Sequence, residues 1–282
     1  MKFKHLLLVA ASILFIQGCD EIDGPYGVTN NGGVDTSDNV VRKVLIEDFT
    51  GHVCQACPNA HREATRLHNL FGEQLVIIAV HADYWATPYP PNPQNKFLYD
   101  FRNTLSTEIA TDFNVMGQPF PKGMVNRMIN TGTNSQLILD WANWEPKIND
   151  WLAIPADAGI EITPTYNETN KTITADVIVK VVNELTDPVS LAVYFTEDSI
   201  IQWQKDGSTD VQNYVHNHVL RGSLNGTYGE SLGTQAAGAE ITRSYSATLV
   251  PNDAVADHIH LVAILTNEIT KEVIQVEEIK LK

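Results

Sequence analysis

Two cysteines and the residues around them are the part of this sequence best suited to chemistry. Two residues separate Cys54 from Cys57 in the stretch HVCQACPNAH, and the 282-residue chain has 3 cysteines in total. Two cysteines at this spacing can form a disulfide without distorting the backbone. The pair could act as a dithiol redox centre, form a static disulfide, or supply half of a metal site.

The residues that follow Cys57 predict a helix over 57–71 that would position the pair. An apolar stripe runs along it, formed by Cys57, Ala60, Ala64, Leu67 and Phe71, and this stripe would face a sheet. Cys54 would lie at the helix N-terminus, where free backbone N–H groups and the helix dipole stabilise a thiolate. Pro58 suits the first turn because its missing N–H is not needed there. The pattern predicts an exposed, nucleophilic Cys54 and a shielded Cys57 that resolves a mixed disulfide.

The first 18 residues are typical of a secretory signal. Two lysines precede an apolar run over 6–16 that is too short to span a membrane. The run ends in IQGC, which resembles the lipobox of bacterial lipoproteins and implies a lipid, such as palmitate, on Cys19. The alternative is an ordinary signal peptide, with Cys19 as a free thiol or a pairing partner. A lipid on Cys19 would leave Cys54 and Cys57 to pair in an oxidising compartment.

Charge and composition limit the partners of the mature chain. Without residues 1–18 it carries 17 basic and 34 acidic residues, a formal charge of −17, so nucleic acid is excluded as a partner. Residues 19–40 are acidic and glycine-rich and predict a flexible tether. The acidic start after Cys19 resembles an export signal of lipoproteins. It favours a lipid-anchored position on the outer face of the outer membrane over a periplasmic orientation.

The hydrophobic pattern predicts two domains. Residues 41–154 alternate between strand-like and helix-like segments in the order βαβαβα, which predicts an α/β domain. The predicted strands are 44–46, 75–80 and 124–129, and the predicted helices are 57–71, 95–112 and 135–152. Residues 155–282 instead predict seven short strands, near 159–166, 172–181, 189–196, 218–224, 240–249, 258–266 and 272–281. An all-β sandwich resembling the immunoglobulin fold is expected there, without the cysteines of antibody domains.

The stretch VLIEDFTGHVCQACP resembles the first central strand, turn and active-site helix of the thioredoxin superfamily. In that family an acidic residue six positions before the first cysteine accepts the proton of the resolving thiol. This role carries over to Asp48, with Glu47 as the alternative. No cofactor is implied beyond the dithiol, and the partners implied are protein thiols or disulfides.

The resemblance also implies a cis-proline that faces the disulfide. MGQPFPKGMVNR offers Pro119 and Pro121. Pro119 would place Pro121 inside the following strand, where its missing N–H breaks the ladder. We therefore assign the cis bond to Phe120-Pro121 and expect Pro121 to shape the substrate edge.

The loop YWATPYPPNPQ, residues 84–94, leaves the end of a predicted central strand, the edge at which Cys54 should lie. Its 4 prolines make it stiff, and Tyr84, Trp85 and Tyr89 offer broad apolar surfaces. We expect these side chains, with Phe120, to form the wall of a groove that holds a polypeptide over the disulfide. The alternative is that the loop only caps the core.

Four motifs together resemble the outer-membrane-protein-twenty-eight-related lipoprotein family: EDFTG, CxxCP, PxGMVNR and YVHNHVLR. The resemblance spans most of the mature chain. It implies an outer-membrane lipoprotein with a thioredoxin-like domain and a β-sandwich, and it names no substrate.

Histidines raise a metal alternative that we do not adopt. His52 and His61 flank the cysteines, so a Cys2His2 site is conceivable, but the spacing is wrong for a zinc finger. His216 with His218, and His258 with His260, would each project from one face of a strand. His216 and His218 are alternatively expected to contact the first domain.

The sequence thus supports two functions of different classes. In the first, Cys54 attacks, Cys57 resolves and Asp48 accepts a proton in thiol–disulfide exchange on envelope or extracellular proteins. In the second, the protein is a non-catalytic binding or adhesion lipoprotein whose Cys54–Cys57 disulfide is a structural staple.

Overall fold

Two buried parallel strands and one helix carry the cysteine pair. In the computed structural model, which describes residues 40–282, β1 is Val44–Thr50, α1 is Cys57–Phe71 and β2 is Leu75–His81. β1 and β2 pair in parallel, and every residue of both strands is buried, as expected for a sheet covered on both faces. The predicted signal segment, Cys19 and nearly all of the predicted tether lie outside the described residues.

The next two helices are shorter than the hydrophobic pattern predicts. α2 is Thr104–Asp112, and the backbone before it includes left-handed residues such as Asn95 and Phe97. Asn103 begins α2 because its side chain accepts a hydrogen bond from the backbone N–H of Ser106 at 2.8 Å. The predicted start at residue 95 is therefore wrong.

Extended segments replace the first half of the predicted helix over 135–152. β3 is Lys122–Val125, β4 is Ile129–Asn130, β5 is Ser135–Gln136 and α3 is Trp144–Leu152. Leu139 exchanges two backbone hydrogen bonds with Gly123 of β3, at 2.9 and 2.8 Å. Leu139 thus covers the outer edge of β3, and only Trp141–Asn143, a 3-10 turn directly before α3, is helical in this first half.

Residues 155–282, all of them described, form ten strands, three more than predicted. They are β6 (Ala158–Asn167), β7 (Thr172–Val181), β8 (Leu185–Glu197), β9 (Ile200–Asp206), β10 (Thr209–His216), β11 (Val219–Ser223), β12 (Glu230–Gln235), β13 (Glu240–Thr248), β14 (Ile259–Asn267) and β15 (Val273–Lys280). β9, β10 and β12 are the strands that the hydrophobic pattern missed. The fold is therefore mostly β.

One large sheet runs through both halves of the chain. Its strand order is β15-β14-β8-β11-β2-β1-β3, with β12 also paired to β8. The connection is made where Val219 of β11 pairs with Ala79 of β2, and the Ala79 N–H donates to the carbonyl of His218 at 2.8 Å. The two predicted domain ranges thus share one sheet, and the boundary predicted after residue 154 does not separate their strands.

Two apolar layers stabilise this arrangement. The alternating residues of β7, from Ile173 to Val181, are buried as predicted and pack between the large sheet and a second sheet of order β13-β7-β6. On the other half, Ala60, Ala64 and Leu67 of α1 are buried against the sheet. A fully buried side chain the size of Leu67 contributes about 1.5–3 kcal/mol. The predicted apolar stripe of α1 is therefore confirmed, and it fixes the start of the helix at the sheet edge.

Candidate active site

Cys54 and Cys57 form a disulfide at the start of α1, with their Cα atoms 5.5 Å apart. The helix begins at Cys57, and Pro58 lies in its first turn, as predicted. The backbone N–H of Cys57 donates a hydrogen bond to Sγ of Cys54 at 3.2 Å. A helix-terminal N–H aimed at a sulfur stabilises negative charge on it. The geometry can therefore support a thiolate at Cys54 when the disulfide is reduced.

The two sulfur-bearing residues differ from the prediction in their exposure. Cys57 is 0% exposed, as predicted for the shielded partner. Cys54 is only 1% exposed, so the predicted exposed Cys54 is wrong. Gln55 and Ala56 between them are exposed. Within residues 51–58, only Gln55 and Ala56 are exposed to solvent.

The β9–β10 hairpin, which the sequence analysis missed, covers Cys54. The side-chain amide of Gln204, itself 0% exposed, donates to the carbonyls of Gly51 at 3.3 Å and Cys54 at 3.0 Å. The N–H groups of Lys205 and Gly207 donate to the carbonyls of His52 and Gln55, both at 2.9 Å. The hairpin is therefore hydrogen-bonded along the whole turn that carries Cys54.

A sequence signal for this hairpin was present. Gly207-Ser208 is the two-residue loop of the hairpin, and glycine is preferred at the first position of such a turn, where Gly207 adopts a φ of 59°. Nothing local, however, indicates that Gln204 would reach a turn 150 residues earlier.

Asp48 is the buried acid of the site. It is 1% exposed, and burial raises its pKa to about 8. Its Oδ1 has no hydrogen-bond partner, and its Oδ2 lies 3.7 Å from Nε2 of His61. The alternative acid, Glu47, is bound by Arg127 at 2.6 and 2.8 Å in a buried ion pair. Glu47 is therefore held as a carboxylate partner of Arg127. Asp48 is in no such pair with an arginine or lysine of residues 40–282, so it fits the role of proton acceptor.

The peptide bond between Phe120 and Pro121 is cis, as predicted. Phe120 lies in a cleft of about 340 Å³ next to the disulfide. The cleft is lined by Val53, Cys54, Gln55, Ala56, Tyr84, Trp85, Tyr89, Phe120 and Lys205. All four predicted substrate-contacting residues, Tyr84, Trp85, Tyr89 and Phe120, thus meet at Cys54. Pro121 itself is buried and is not part of the cleft wall.

The aromatic wall of the cleft is held firmly. Trp85 packs on Phe120 with ring centroids 6.5 Å apart, and its indole N–H donates to the carbonyl of Gln118 at 3.3 Å. A Cβ on Gly51 would lie 2.1 Å from the carbonyl oxygen of Trp85, so only glycine permits this approach. Tyr84, by contrast, is 65% exposed and projects from the wall.

The histidines beside the cysteines do not form a Cys2His2 arrangement. His52 stacks on Phe97 and packs at a tilt against Phe101, with centroid distances of 5.7 and 5.5 Å, and burial lowers its pKa to about 4. His61 instead bonds to the hydroxyls of Thr50 at 2.8 Å and Tyr214 at 2.7 Å. Within residues 40–282, no three His, Cys, Asp or Glu side chains form a group that could hold a metal ion.

The other histidine pairs do not project from one strand face, so that expectation is wrong. His216 ends β10, whereas His218 lies beyond it with a φ of 57°. His258 ends a 3-10 turn, and His260 is in β14. The alternative expectation for the first pair is confirmed, because His216 packs on Phe101 of the N-terminal part with centroids 4.5 Å apart.

Comparison with known proteins adds a family and a fold. A family model described as "Outer membrane protein Omp28" matches residues 107–282. The chain is similar in structure to HBP35 of Porphyromonas gingivalis, with a TM-score of 0.65 and 17% identity, covering 86% of this chain and 76% of that one. It is also similar to AGR_C_4864 of Agrobacterium tumefaciens, with a TM-score of 0.52 and 14% identity, covering 86% of this chain and 96% of that one.

A domain of the outer membrane lipoprotein Omp28 from Porphyromonas gingivalis matches with a TM-score of 0.32 and 23% identity, over 46% of this chain and 92% of that one. No curated protein matches the chain. In the described part, no helix is long and apolar enough to cross a membrane.

Proposed function

The chain belongs to the Omp28 family of outer membrane proteins, and from that premise we propose that it performs thiol–disulfide exchange on polypeptides of the cell envelope. The family match begins at residue 107 and does not reach the cysteines. The proposal therefore depends on the site geometry. In this proposal the N-terminal part of the chain is thioredoxin-like and the C-terminal part is an immunoglobulin-like sandwich.

The hydrogen bond from the Cys57 N–H to Sγ of Cys54 is the observation that carries the proposal. In the reduced protein, the Cys54 thiolate would attack one sulfur of a substrate disulfide. A mixed disulfide forms, and the first substrate sulfur leaves as a thiolate. Cys57 then attacks Cys54, which releases the second substrate sulfur and restores the Cys54–Cys57 bond. The substrate disulfide is reduced to two thiols, and the protein dithiol is oxidised.

Asp48 supports the second step. Cys57 must lose a proton before it attacks, and a buried carboxyl whose pKa is about 8 exchanges protons near physiological pH. Asp48 would take this proton.

The aromatic cleft supports a polypeptide as substrate. Tyr84, Trp85, Tyr89 and Phe120 offer apolar surface beside Cys54, and aromatic side chains dominate binding energy in such grooves. Trp85→Ala should slow exchange with a protein disulfide by at least about tenfold and leave exchange with glutathione disulfide nearly unchanged. Equal losses with both substrates would argue against the groove.

The burial of Cys54 favours a second candidate, a binding or adhesion protein whose disulfide is a static staple. Gln204 and the β9–β10 hairpin hydrogen-bond the turn that carries the sulfur, so exchange requires the hairpin to move. A disulfide that never becomes accessible would leave the scaffold as the functional part.

Trapping in intact cells distinguishes the two candidates. A full-length Cys57→Ser variant can form a mixed disulfide through Cys54 but cannot resolve it. The exchange proposal predicts envelope proteins that are covalently bound to this variant and released by reductant. The matched control is the Cys54→Ser/Cys57→Ser double variant, which should capture none. Equal, empty results for both variants would support the static staple.

Cys19, which lies outside the described residues, is proposed to carry the lipid that anchors the protein. Cys19→Ser should move the protein from the outer-membrane fraction to the soluble envelope fraction. Retention of the variant in the membrane would contradict a lipid anchor at this position. Protease treatment of whole cells would then test the proposed surface-facing orientation.

A further inference from the structure

A second cavity, of about 220 Å³, lies between α1 and the end of β10 and shares no lining residue with the cleft at Cys54. Its titratable lining consists of Asp48, His61, Arg62, His81, Tyr214, His216 and His218. Asp48 thus faces a cavity of its own. The thiol–disulfide mechanism described above does not use this cavity.

Several buried polar atoms in the cavity wall have no hydrogen bond of normal distance and angle to the described part of the protein. They are Oδ1 of Asp48 and both ring nitrogens of His81 and of His216, each in a side chain that is at least nine-tenths buried. Buried polar atoms in folded proteins are nearly always paired with protein or with water. A volume of this size holds several water molecules at about 30 Å³ each. The cavity is therefore suited to proton movement.

His61 connects Asp48 to the protein surface. Its Nε2 lies 2.8 Å from the hydroxyl of Thr50 and 3.7 Å from Oδ2 of Asp48, a separation that one water molecule can bridge, and its Nδ1 lies 2.7 Å from the hydroxyl of Tyr214. The side chain of His61 is 19% exposed, whereas that of Asp48 is 2% exposed. A neutral imidazole can accept a proton at one nitrogen and release one at the other. His61 has the position and the chemistry to carry protons outward.

We propose that His61 carries the proton between Asp48 and solvent during disulfide exchange, with Tyr214 as the residue that positions its ring. This inference rests on the proposed function. Asp48 gives its proton to Nε2 through a water molecule in the cavity, while Nδ1 releases one toward the Tyr214 hydroxyl and solvent. The carboxylate that remains accepts the proton of the Cys57 thiol as Cys57 attacks Cys54. One proton reaches solvent for each thiol that is oxidised by this step.

The surroundings of His61 favour its neutral form, so it can pass a proton on without retaining it. Burial is the largest effect on the His61 pKa and lowers it to about 4. Among the smaller effects included in that value, Arg62 and His218 lower the His61 pKa and Asp206 raises it. Asp48, whose pKa burial raises to about 8, is protonated at neutral pH and must lose its proton before it can accept another. His81 and His216, which also face the cavity, are buried with pKa values well below the ordinary value.

Chemical rescue tests the proposal in the full-length protein. The reduced protein is mixed with glutathione disulfide, and the decay of the mixed disulfide is followed from pH 6 to 9 by rapid acid quench and mass measurement. His61→Ala should slow this decay by at least about tenfold below pH 8, and added imidazole should restore it. Tyr214→Phe should show a smaller loss. The matched control is His68→Ala, which removes a histidine two turns further along α1. The mixed disulfide of this variant should decay at the wild-type rate.

The outcomes separate the two proposals. If the wild-type protein forms no mixed disulfide, the proposed exchange function itself is overturned. If the wild type reacts, but His61→Ala has the same pH profile and ignores imidazole, the proton route is overturned and the function stands. A slow His61→Ala variant that imidazole does not rescue also contradicts the route, because it indicates a structural role.

Discussion

At the scale of single residues, the buried carboxyl of Asp48 makes stability depend on pH in an unusual direction. Its pKa is raised from 3.8 to about 8 by burial, so between these values the folded protein keeps a proton that the unfolded chain releases. Stability is then lost as pH rises through this window, by about 1.4 kcal/mol per pH unit. Asp48→Asn removes the ionisable group and keeps the shape of the neutral acid.

We therefore expect Asp48→Asn to gain stability relative to the wild type between pH 5 and pH 7.5. Urea unfolding of the two oxidised proteins at both values measures the difference. If the difference in unfolding free energy between the two proteins is the same at both pH values, Asp48 ionises normally in the folded state.

His52 has the opposite effect. Burial lowers its pKa from 6.5 to about 4, so the folded state keeps it neutral while the unfolded chain binds a proton. Its contribution is present above pH 6.5 and is lost as pH falls toward 4, at about 1.4 kcal/mol per unit. His52→Phe, whose ring can stack with Phe97 and Phe101, should lose less stability than the wild type on acidification. His258→Phe, at a half-buried histidine, is the control and should follow the wild type. Identical acid unfolding of all three proteins would refute the assignment.

Much of the residue-level chemistry could be predicted because it depends on short spacing. Cys57 is the first residue of the apolar stripe of α1, and Asp48 lies near the end of β1. Both positions could therefore be predicted from the local sequence. The pairing of Glu47 with Arg127, which leaves Asp48 as the free acid, could not be predicted because it joins residues 80 positions apart.

At the scale of elements, the β9–β10 hairpin controls access to Cys54. Gln204→Ala removes the two hydrogen bonds from its side chain to the carbonyls of Gly51 and Cys54. We expect the folded variant to be reduced by dithiothreitol about thirtyfold faster than the wild type, since two lost bonds at about 1 kcal/mol each weaken the cover by about 2 kcal/mol. Thiol alkylation at timed intervals measures the rate.

Gln212→Ala is the matched control, because Gln212 is an exposed glutamine on the same hairpin. It should be reduced at the wild-type rate. Faster reduction of both variants would indicate general loosening of the hairpin, and unchanged reduction of both would show that the hairpin does not limit access.

The hairpin also marks the limit of local prediction. Apolar periodicity located α1, β2 and β7 because each buries one continuous face or run. The burial of Cys54 depends instead on a polar side chain, Gln204, that is buried by hydrogen bonds to a distant turn. Hydrophobic patterns carry no signal for such a contact.

At the scale of the whole molecule, one sheet makes the two halves of the chain mutually dependent. The strands β11 and β2 meet at Val219 and Ala79, and residues of both halves share one apolar cluster, which includes Val80, Tyr194 and Val262. We expect a single unfolding transition by both far-ultraviolet circular dichroism and tryptophan fluorescence. The fragment 41–154 expressed alone should not fold, because its side of this cluster would be exposed. Two separate transitions, or a folded fragment, would indicate that the two halves are independently folding domains.

The central claim is that the Cys54–Cys57 disulfide exchanges with external thiols in the folded protein. Equilibration of the full-length protein with a series of glutathione redox buffers, followed by acid quench and counting of alkylated thiols by mass, tests it directly. We expect a reversible transition between dithiol and disulfide, with circular dichroism unchanged throughout. A disulfide that stays oxidised in every buffer, and opens only after unfolding in urea, would contradict it.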